Sequence, residues 1–532
     1  VLFRSLPENE WRDGVDVEAT LSLFSELGFR TLAIRIKNLL DIAEEVFPDI
    51  ETAGYSEEVV SEASIMLWLL ESDRTNATYE DLVDYGRSYF QTTDLGEIIK
   101  KLRELIEKDS LQSVLEDIEL PLMKVIKIIN QTGITLDVDY LSKLSAKLHK
   151  ELTSLEGRIY KHAGMEFNIN SPKQMGEVLY DTLGLKPKNQ KKTATGQRST
   201  RESELEKMTD DHPIIEDILR YRELQKLVST YIDNLPTMVS EDGRLRTTFL
   251  QTGTTTGRMA SKDPNLQNIP VRTPEGREVR GAFIAAPGCQ LVAMDYSQIE
   301  LRIAAILSGD KKLIEIFKTG QDVHQGVAAQ VFNVAPEEVT KDMRRQAKVI
   351  NFGILYGMGV NALRANLGEE TTRAEAQEFL NAYFNTFTRL AEYLEETKNF
   401  ARETGYTTTM FGRRRHFPGI QSGAPFIRAA AERMAINAPV QGTAADVMRL
   451  AILQVDKYIK DNKLTDDVQI LLQVHDELVF EVKESKLEEV ITHLKTAMES
   501  VLDDKTNHGI PILVDVQVGD NWNGLASYKV EG

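Results

Sequence analysis

The sequence predicts an α+β fold laid out in successive blocks, and three observations carry that prediction. Residues 1–129, 130–235 and 303–430 show apolar residues recurring at three and four, the spacing of helices that bury one face. Residues 236–300 instead hold short apolar runs bounded by turn residues. Residues 468–518 hold a hairpin, an amphipathic helix and a last strand. At 532 residues the chain has room for several domains and a sizeable core.

Composition narrows the class. Hydrophobic content of 42% and charged content of 27% are ordinary for a soluble globular protein. The one cysteine, Cys289, allows no intrachain disulfide and points to a reducing compartment. No apolar run reaches the length of a membrane span. The opening Val1-Leu2-Phe3-Arg4-Ser5 lacks both a starting Met and the apolar core of a signal peptide, so the chain reads as a fragment or a processed form. A net charge of −19 argues at first against nucleic acid, but the acid is concentrated at the front. Residues 1–120 hold 27 acidic and 11 basic side chains; the remainder holds 55 and 52. A near-neutral remainder can carry local basic grooves, and those govern phosphate binding.

Taken in order, the first block predicts helices in Ala19–Leu39 and Leu95–Ile118. Asp49-Ile50-Glu51 matches the D-x-E of two-metal exonucleases, although a solvated turn after Pro48 explains three letters better. The second block predicts helices at Glu151–His162 and Ile214–Ile232. Between them, residues 186–201 carry six basic residues, among them Lys191, Lys192 and Arg198, and no acidic one. That suits a loop laid on a phosphate backbone, and equally a plain solvated loop. Strands are predicted at Leu245–Gln251 and Val279–Ile284. Gln251–Arg258 is a Thr/Gly-rich turn ending in a cation, and Asp263–Pro270 is a proline-bounded loop of amides. Such a loop can donate to base edges or simply hold itself together.

Asp295 ends the apolar run Val292-Ala293-Met294, an expensive place for a lone carboxylate unless a cation or donor is near; a helix cap is the plainer reading. In the predicted helix Lys341–Met358, Arg344, Lys348, Phe352 and Tyr356 recur at four and share a stripe: two cations, then two rings. Core packing explains rings and a solvated face explains cations, but the sequence of both at one spacing fits a ligand with phosphates at one end and a base at the other. The helix Ala429–Ile459 carries Asn437 and Gln441 at i, i+4. Val468–Val482 reads as a hairpin whose tip is His475-Asp476-Glu477, and adjacent carboxylates there need a cation unless the turn is fully solvated. Leu487–Asp503 and Ile510–Val518 read as a helix and a strand.

If the strands ending in Asp295 and Asp476 share a sheet, their carboxylates can bind two divalent ions, and oxygen ligands with a phosphate substrate select Mg²⁺. Lys348 and Arg344 would then hold a triphosphate. No P-loop and no zinc-type Cys/His cluster is present in the sequence.

These residues carry a resemblance. Asp295-Tyr296-Ser297-Gln298-Ile299-Glu300-Leu301-Arg302 resembles motif A of family A DNA polymerases, Arg344–Gly357 motif B, and Gln473-Val474-His475-Asp476-Glu477 motif C. Thr256-Gly257-Arg258, Asp263–Pro270 and Asn437–Thr443 match as well, and the likeness spans about residues 115–532. It implies a right-hand fold: thumb 130–235, palm 236–310 and 431–532, fingers 311–430. Residues 1–40 would be a linker after a missing 5′-nuclease domain, and 41–129 a shortened, inactive 3′–5′ exonuclease-like region without proofreading. The implied activity is templated addition of deoxynucleotides to a primer 3′-OH in replication or repair, by a monomer in the bacterial cytoplasm. Asp295, Asp476 and the Tyr296 carbonyl would hold two Mg²⁺ ions, for which Mn²⁺ can substitute, with Glu477 outside them. Arg344, Lys348, His324 and Gln298 would meet the incoming triphosphate, Phe352 its sugar and base, and Tyr356 the template position. Glu300 would exclude a ribose 2′-OH. Arg258, Asn437, Gln441 and His475 would touch the primer-template minor groove, and Lys191, Lys192 and Arg198 would grip the duplex. The competing readings are a single-subunit RNA polymerase, a two-metal nuclease and a non-catalytic DNA-binding module. Glu300 and the motif B residues oppose the first, the cation-ring stripe opposes the second, and Asp295, Asp476 and Lys348 together oppose the third.

Overall fold

A computed structural model describes residues 54–186, 198–368 and 371–529, together with 16, 17, 19, 20 and 36. The predicted Ala19–Leu39 helix lies largely outside the described residues, and Asp49-Ile50-Glu51 and the loop residues Lys191 and Lys192 lie wholly outside them. Contacts divide the chain into two units, Val1–Leu120 with Gly412–His416, and Pro121–Phe411 with Phe417–Gly532. Among the described residues, no helix is long and apolar enough to cross a membrane.

In the first unit, Ser56 caps the helix Glu57–Leu70, Thr78 and Asp81 form a capping box for Tyr79–Tyr85, and Asp94 caps Leu95–Lys108. Leu67, Trp68, Leu82, Ile98 and Leu102 fill its core. The single helix predicted over Leu95–Ile118 is interrupted: Ser110 takes a left-handed conformation (φ 58°), and helical structure resumes at Gln112 and continues through the wider turns of Val114–Glu119. Within this unit the Arg413 guanidinium reaches the buried Glu119 carboxylate and lies 5.0 Å above the Trp68 ring.

The second unit begins within the helix Leu120–Thr132; its long helix Val138–Ala163 is capped by Asp137 and packed on Ile214–Leu227. Ile134–Leu136 forms the middle of a three-stranded sheet, between Arg244–Leu245 and Phe283–Ile284. Here two strand predictions need correction. Leu245–Gln251 splits into Arg244–Leu245 and Thr248–Leu250. Val279 belongs to the helix Pro274–Arg280, because Thr273 accepts from Gly276 N–H and Pro274 fits the first turn; only Phe283–Ile284 is strand.

The central sheet organises the rest. β1 (Cys289–Tyr296) runs into a turn at Gln298 (φ 55°) and then into α1 (Ile299–Ser308). Next come α2 (Val323–Phe332) and α3 (Lys341–Leu355), packed together, and then α4 (Pro425–Asp461), which contains Pro439. The hairpin β2 (Val468–Val474) and β3 (Glu477–Lys483) precedes the helix Leu487–Glu499, which packs on α4. β4 (Val514–Gly519) and β5 (Ala526–Ser527) follow. The antiparallel order is β5-β4-β1-β3-β2. Leu291, Val292, Met294, Val479 and Phe480 are buried within it. Consecutive buried positions mean that both faces of these strands are covered, which makes the sheet a stiff platform.

Candidate active site

β1 and β3 are neighbours, so the sheet condition on Asp295 and Asp476 is met. Glu477 stands directly opposite Asp295 on one side, and Asp515 of β4 directly opposite it on the other. Directly opposed residues share a face, so three carboxylates cross three strands in a row. Asp476 sits beside them in the hairpin turn, where its carbonyl accepts from Tyr296 N–H at 3.0 Å, and His475 makes the turn in a left-handed conformation (φ 53°).

Electrostatics mark this row as short of positive charge. Although part of the Asp295 side chain meets solvent, loss of hydration at the sheet surface raises its pKa, and Glu477, Asp476 and Asp515 raise it further, to about 7. Burial also raises Asp476, against the pull of Arg258. Burial raises Glu477 too, opposed by Arg280 and by Trp522, whose indole Nε1–H donates to it at 3.1 Å. The Arg280 guanidinium lies 4.0 Å over the Trp522 ring. The cation nearest Asp476 is Arg258, at 3.9 Å. Among the described residues, no group of three or more His, Cys, Asp or Glu side chains is placed to hold a metal ion by itself. A hard divalent ion fits the uncompensated oxygens if substrate and water supply the remaining ligands, which is how Mg²⁺ is usually held.

The cation-ring stripe is real. Arg344, Lys348, Phe352 and Tyr356 are all exposed, while Ile350, Ile354 and Leu355 are buried behind them. Thr340 caps α3 and the stripe runs down its open face; Tyr356 follows the last helical residue. Arg344 donates to Asp322 at 2.7 and 3.2 Å, and Asp322 also caps α2. That cap places His324, in the first turn of α2, with its ring 5.8 Å from Phe352.

His324 is buried, and burial holds its pKa below the ordinary value, with Asp322 opposing and Arg344 and Lys348 assisting. Asn351, also buried, donates from Nδ2 to His324 Nδ1 at 3.1 Å. With the Asn351 amide in this orientation a neutral ring carries its proton on Nε2, free to donate to an anion; the reversed amide would instead pair Oδ1, buried without a partner here, with an Nδ1–H. Long-range nitrogen-15 spectra are expected to show His324 as the Nε2–H tautomer, and Asn351→Ala is expected to make it a mixture. A pure Nδ1–H signature in the native protein would contradict this.

Glu300 joins the two halves of the site. It is buried in the first turn of α1, where its carboxylate accepts from Arg258 at 2.7 Å and from the Tyr356 hydroxyl at 2.9 Å. Burial raises its pKa, against Arg258 and Tyr356; burial and Glu300 push Tyr356 up to about 12. One carboxylate thus links the ring end of the stripe to the cation beside Asp476. Gln298 is half-buried at the turn just before.

The other predicted contacts divide. Gln441 lies half-buried on α4, and His475 is exposed at the hairpin tip. Asn437 is buried and its Nδ2 donates to the Leu355 carbonyl at 3.0 Å, so in this state it ties α4 to the end of α3. Arg198 pairs with Asp181 and lies 4.9 Å over Tyr180. Asp322, Asn351, Asp515, Arg280 and Trp522 are site residues that sequence reasoning missed. Only Asp322 had a usable signal, as an N-cap two residues before His324.

Comparison with known proteins agrees with this geometry. Residues 138–524 match the profile described as DNA polymerase family A. The chain is 46% identical over 407 residues to the thermostable DNA polymerase I of Thermus aquaticus, covering 76% of this chain and 48% of that one. It is 45% identical over 418 residues to DNA polymerase I of Pseudomonas aeruginosa, covering 78% of this chain and 44% of that one. The chain therefore spans about half the length of the curated relatives it matches. Among solved structures, it is similar to the POL domain of Pol1 from M. smegmatis in complex with DNA primer-template and dNTP. The TM-score is 0.79 at 35% identity, covering 87% of this chain and 81% of that one. By sequence and by fold, this chain belongs to DNA polymerase family A.

Proposed function

We propose that the chain is a DNA-templated DNA polymerase, extending a primer 3′-OH with deoxynucleotides and releasing pyrophosphate. The observation that carries this reading is the Arg258–Glu300–Tyr356 link, which couples the acid row to the cation-ring stripe. A nuclease needs the acids alone; a polymerase needs both, with the sugar of the incoming nucleotide between them.

Arg344, Lys348 and the His324 Nε2–H would bind the triphosphate, Arg344 exchanging Asp322 for a phosphate oxygen. Phe352 would pack on the sugar and base, with Gln298 near the phosphates. Glu300 would crowd a ribose 2′-OH, and Tyr356 would hold the template position until a base replaces it. Asp295, Asp476 and the Tyr296 carbonyl would hold two Mg²⁺ ions, replaceable by Mn²⁺, with Glu477 behind them. When bound, such ions neutralise phosphate charge and lower the pKa of the attacking hydroxyl. Arg258, Asn437, Gln441 and His475 would track the minor groove, where acceptors differ little between base pairs and contacts report pair shape. Lys191, Lys192 and Arg198 would grip the duplex backbone.

On this reading residues 130–235 are the thumb, 236–310 and 431–532 the palm, and 311–430 the fingers. Residues 54–129 would belong to a shortened exonuclease-like region that does not proofread; the expected linker over 1–40 lies almost wholly outside the described residues. The enzyme acts as a monomer on DNA in the bacterial cytoplasm. Nucleotide-dependent growth of an annealed primer is the test; shortening of that primer without nucleotides would favour a nuclease instead.

A pH effect follows from the acid row. Because Asp295 titrates near 7 without metal, a proton competes with the ion below that value. Mg²⁺ affinity measured by calorimetry is expected to fall by up to about tenfold per pH unit as pH drops from about 7 to about 6, one proton being displaced per ion. Asp295→Asn is expected to abolish that slope. A slope unchanged by the substitution would assign it to another group.

A further inference from the structure

The side of α4 that carries Asn437 and Gln441 opens to solvent towards the start of the helix, at Arg433 and Phe426. Phe426 is 76% exposed, more than any other large hydrophobic side chain among the described residues, and Ile427 (41%) and Met434 (45%) are exposed with it. Steps of seven and four residues return to nearly the same side of a 3.6-residue helix, so Phe426, Arg433, Asn437 and Gln441 fall in one sector. Arg433 is exposed, and no carboxylate lies within ion-pair range of it among the described residues. It packs on Gly357, where an added Cβ would come within 3.0 Å of the Arg433 Cβ, so it stands immediately beside Tyr356. Phe426 lies seven residues further out, about 10 Å along the helix axis.

Scattered exposed apolar side chains are common on protein surfaces. Phe426 is not one of these scattered cases: with Arg433 it continues a line that begins at the template position, and Ile427 and Met434 lie about 80–100° round the helix beside it. An unpaired cation beside an open ring and aliphatic edges is the chemistry of a single-strand platform, where any base can stack and the cation meets the phosphate. A paired duplex offers no free base face to such a ring.

We propose that Phe426, supported by Ile427 and Met434 and flanked by Arg433, is a stacking step for the unpaired template strand just ahead of the templating base. This rests on the polymerase reading. The step would hold the next template bases apart from one another and deliver them singly towards Tyr356.

The test uses the full chain and primer-templates carrying 2-aminopurine at each of the first few unpaired template positions, with control probes at the templating position and within the duplex. Binding of the native protein is expected to change fluorescence at one of the unpaired positions. Phe426→Ala is expected to remove at least half of that change, to leave both controls intact, and to weaken binding of overhang-bearing DNA roughly fivefold or more. Phe426→Trp is expected to restore the signal. Equal signals from native protein and Phe426→Ala at every unpaired position would overturn the proposal. So would loss at the duplex probe in equal measure, or a native dimer in sedimentation that Phe426→Ala dissociates, since the patch would then serve a second copy. Primer extension on the same DNA separates the two claims: absence of extension by the native chain fails the polymerase reading, whereas extension with an unaltered probe fails only this inference.

Discussion

Asp476→Ala is expected to slow nucleotide addition by about a thousandfold or more while leaving the fold intact. The side chain sits half-buried in the β2–β3 turn among Asp295, Glu477 and Asp515, with Arg258 at 3.9 Å as its nearest cation. Its proposed work is to hold an ion that neutralises charge in the transition state, worth several kcal/mol, and each ~1.4 kcal/mol is tenfold in rate. Without metal, the same substitution relieves repulsion within the row, so the melting temperature is expected to hold or rise. Rapid-quench incorporation and calorimetric melting measure the two effects. Native-rate extension by Asp476→Ala would remove the site from the mechanism; a large loss of stability would mean that Asp476 is structural.

Glu300→Ala is expected to lower discrimination against ribonucleotides by about a hundredfold or more, because rejection by a built-in clash disappears with the atoms that clash. It also strips Arg258 and the Tyr356 hydroxyl of their shared acceptor, so deoxynucleotide addition should slow as well, though by less. Glu300→Gln separates the causes: its size is retained and its charge is lost. Discrimination close to native in the amide, with loss in the alanine, identifies bulk as the selector. The readout is the ratio of kcat/KM for matched deoxy- and ribonucleotides, and an unchanged ratio in Glu300→Ala contradicts the assignment.

The parts of the fold and site that were legible in the sequence are those written in local patterns. The stripe on α3 could be read because four residues at one helical spacing must share a face, and the hairpin because two apolar runs flank a polar tip. Asp295 was legible as an awkward charge, not as a partner of Asp515, since a cross-strand register between residues so far apart leaves no periodic trace. Trp522 and Arg280 reach Glu477 from distant segments for the same reason. Val279–Ile284 reads as a strand because it is a short run bounded by turn residues, whereas the Thr273-Pro274 cap places Val279 in a helix. The resemblance assigns Asn437 to the primer-template minor groove; the close packing of α4 against the end of α3, invisible locally, engages its amide with the Leu355 carbonyl in this structure. Glu300 shows the limit most clearly. Its position was marked, but its two hydrogen-bond partners come from Arg258 and Tyr356, either side of it in the chain.

The central claim is that the acid row and the stripe act together on a nucleotide chosen by a template. The most direct measurement is single-nucleotide incorporation by the native chain on an annealed primer with Mg²⁺, one triphosphate at a time. The account predicts one-base extension, with stoichiometric pyrophosphate, only for the deoxynucleotide complementary to the template base. Extension that ignores the template base, or none with any of the four, would contradict it.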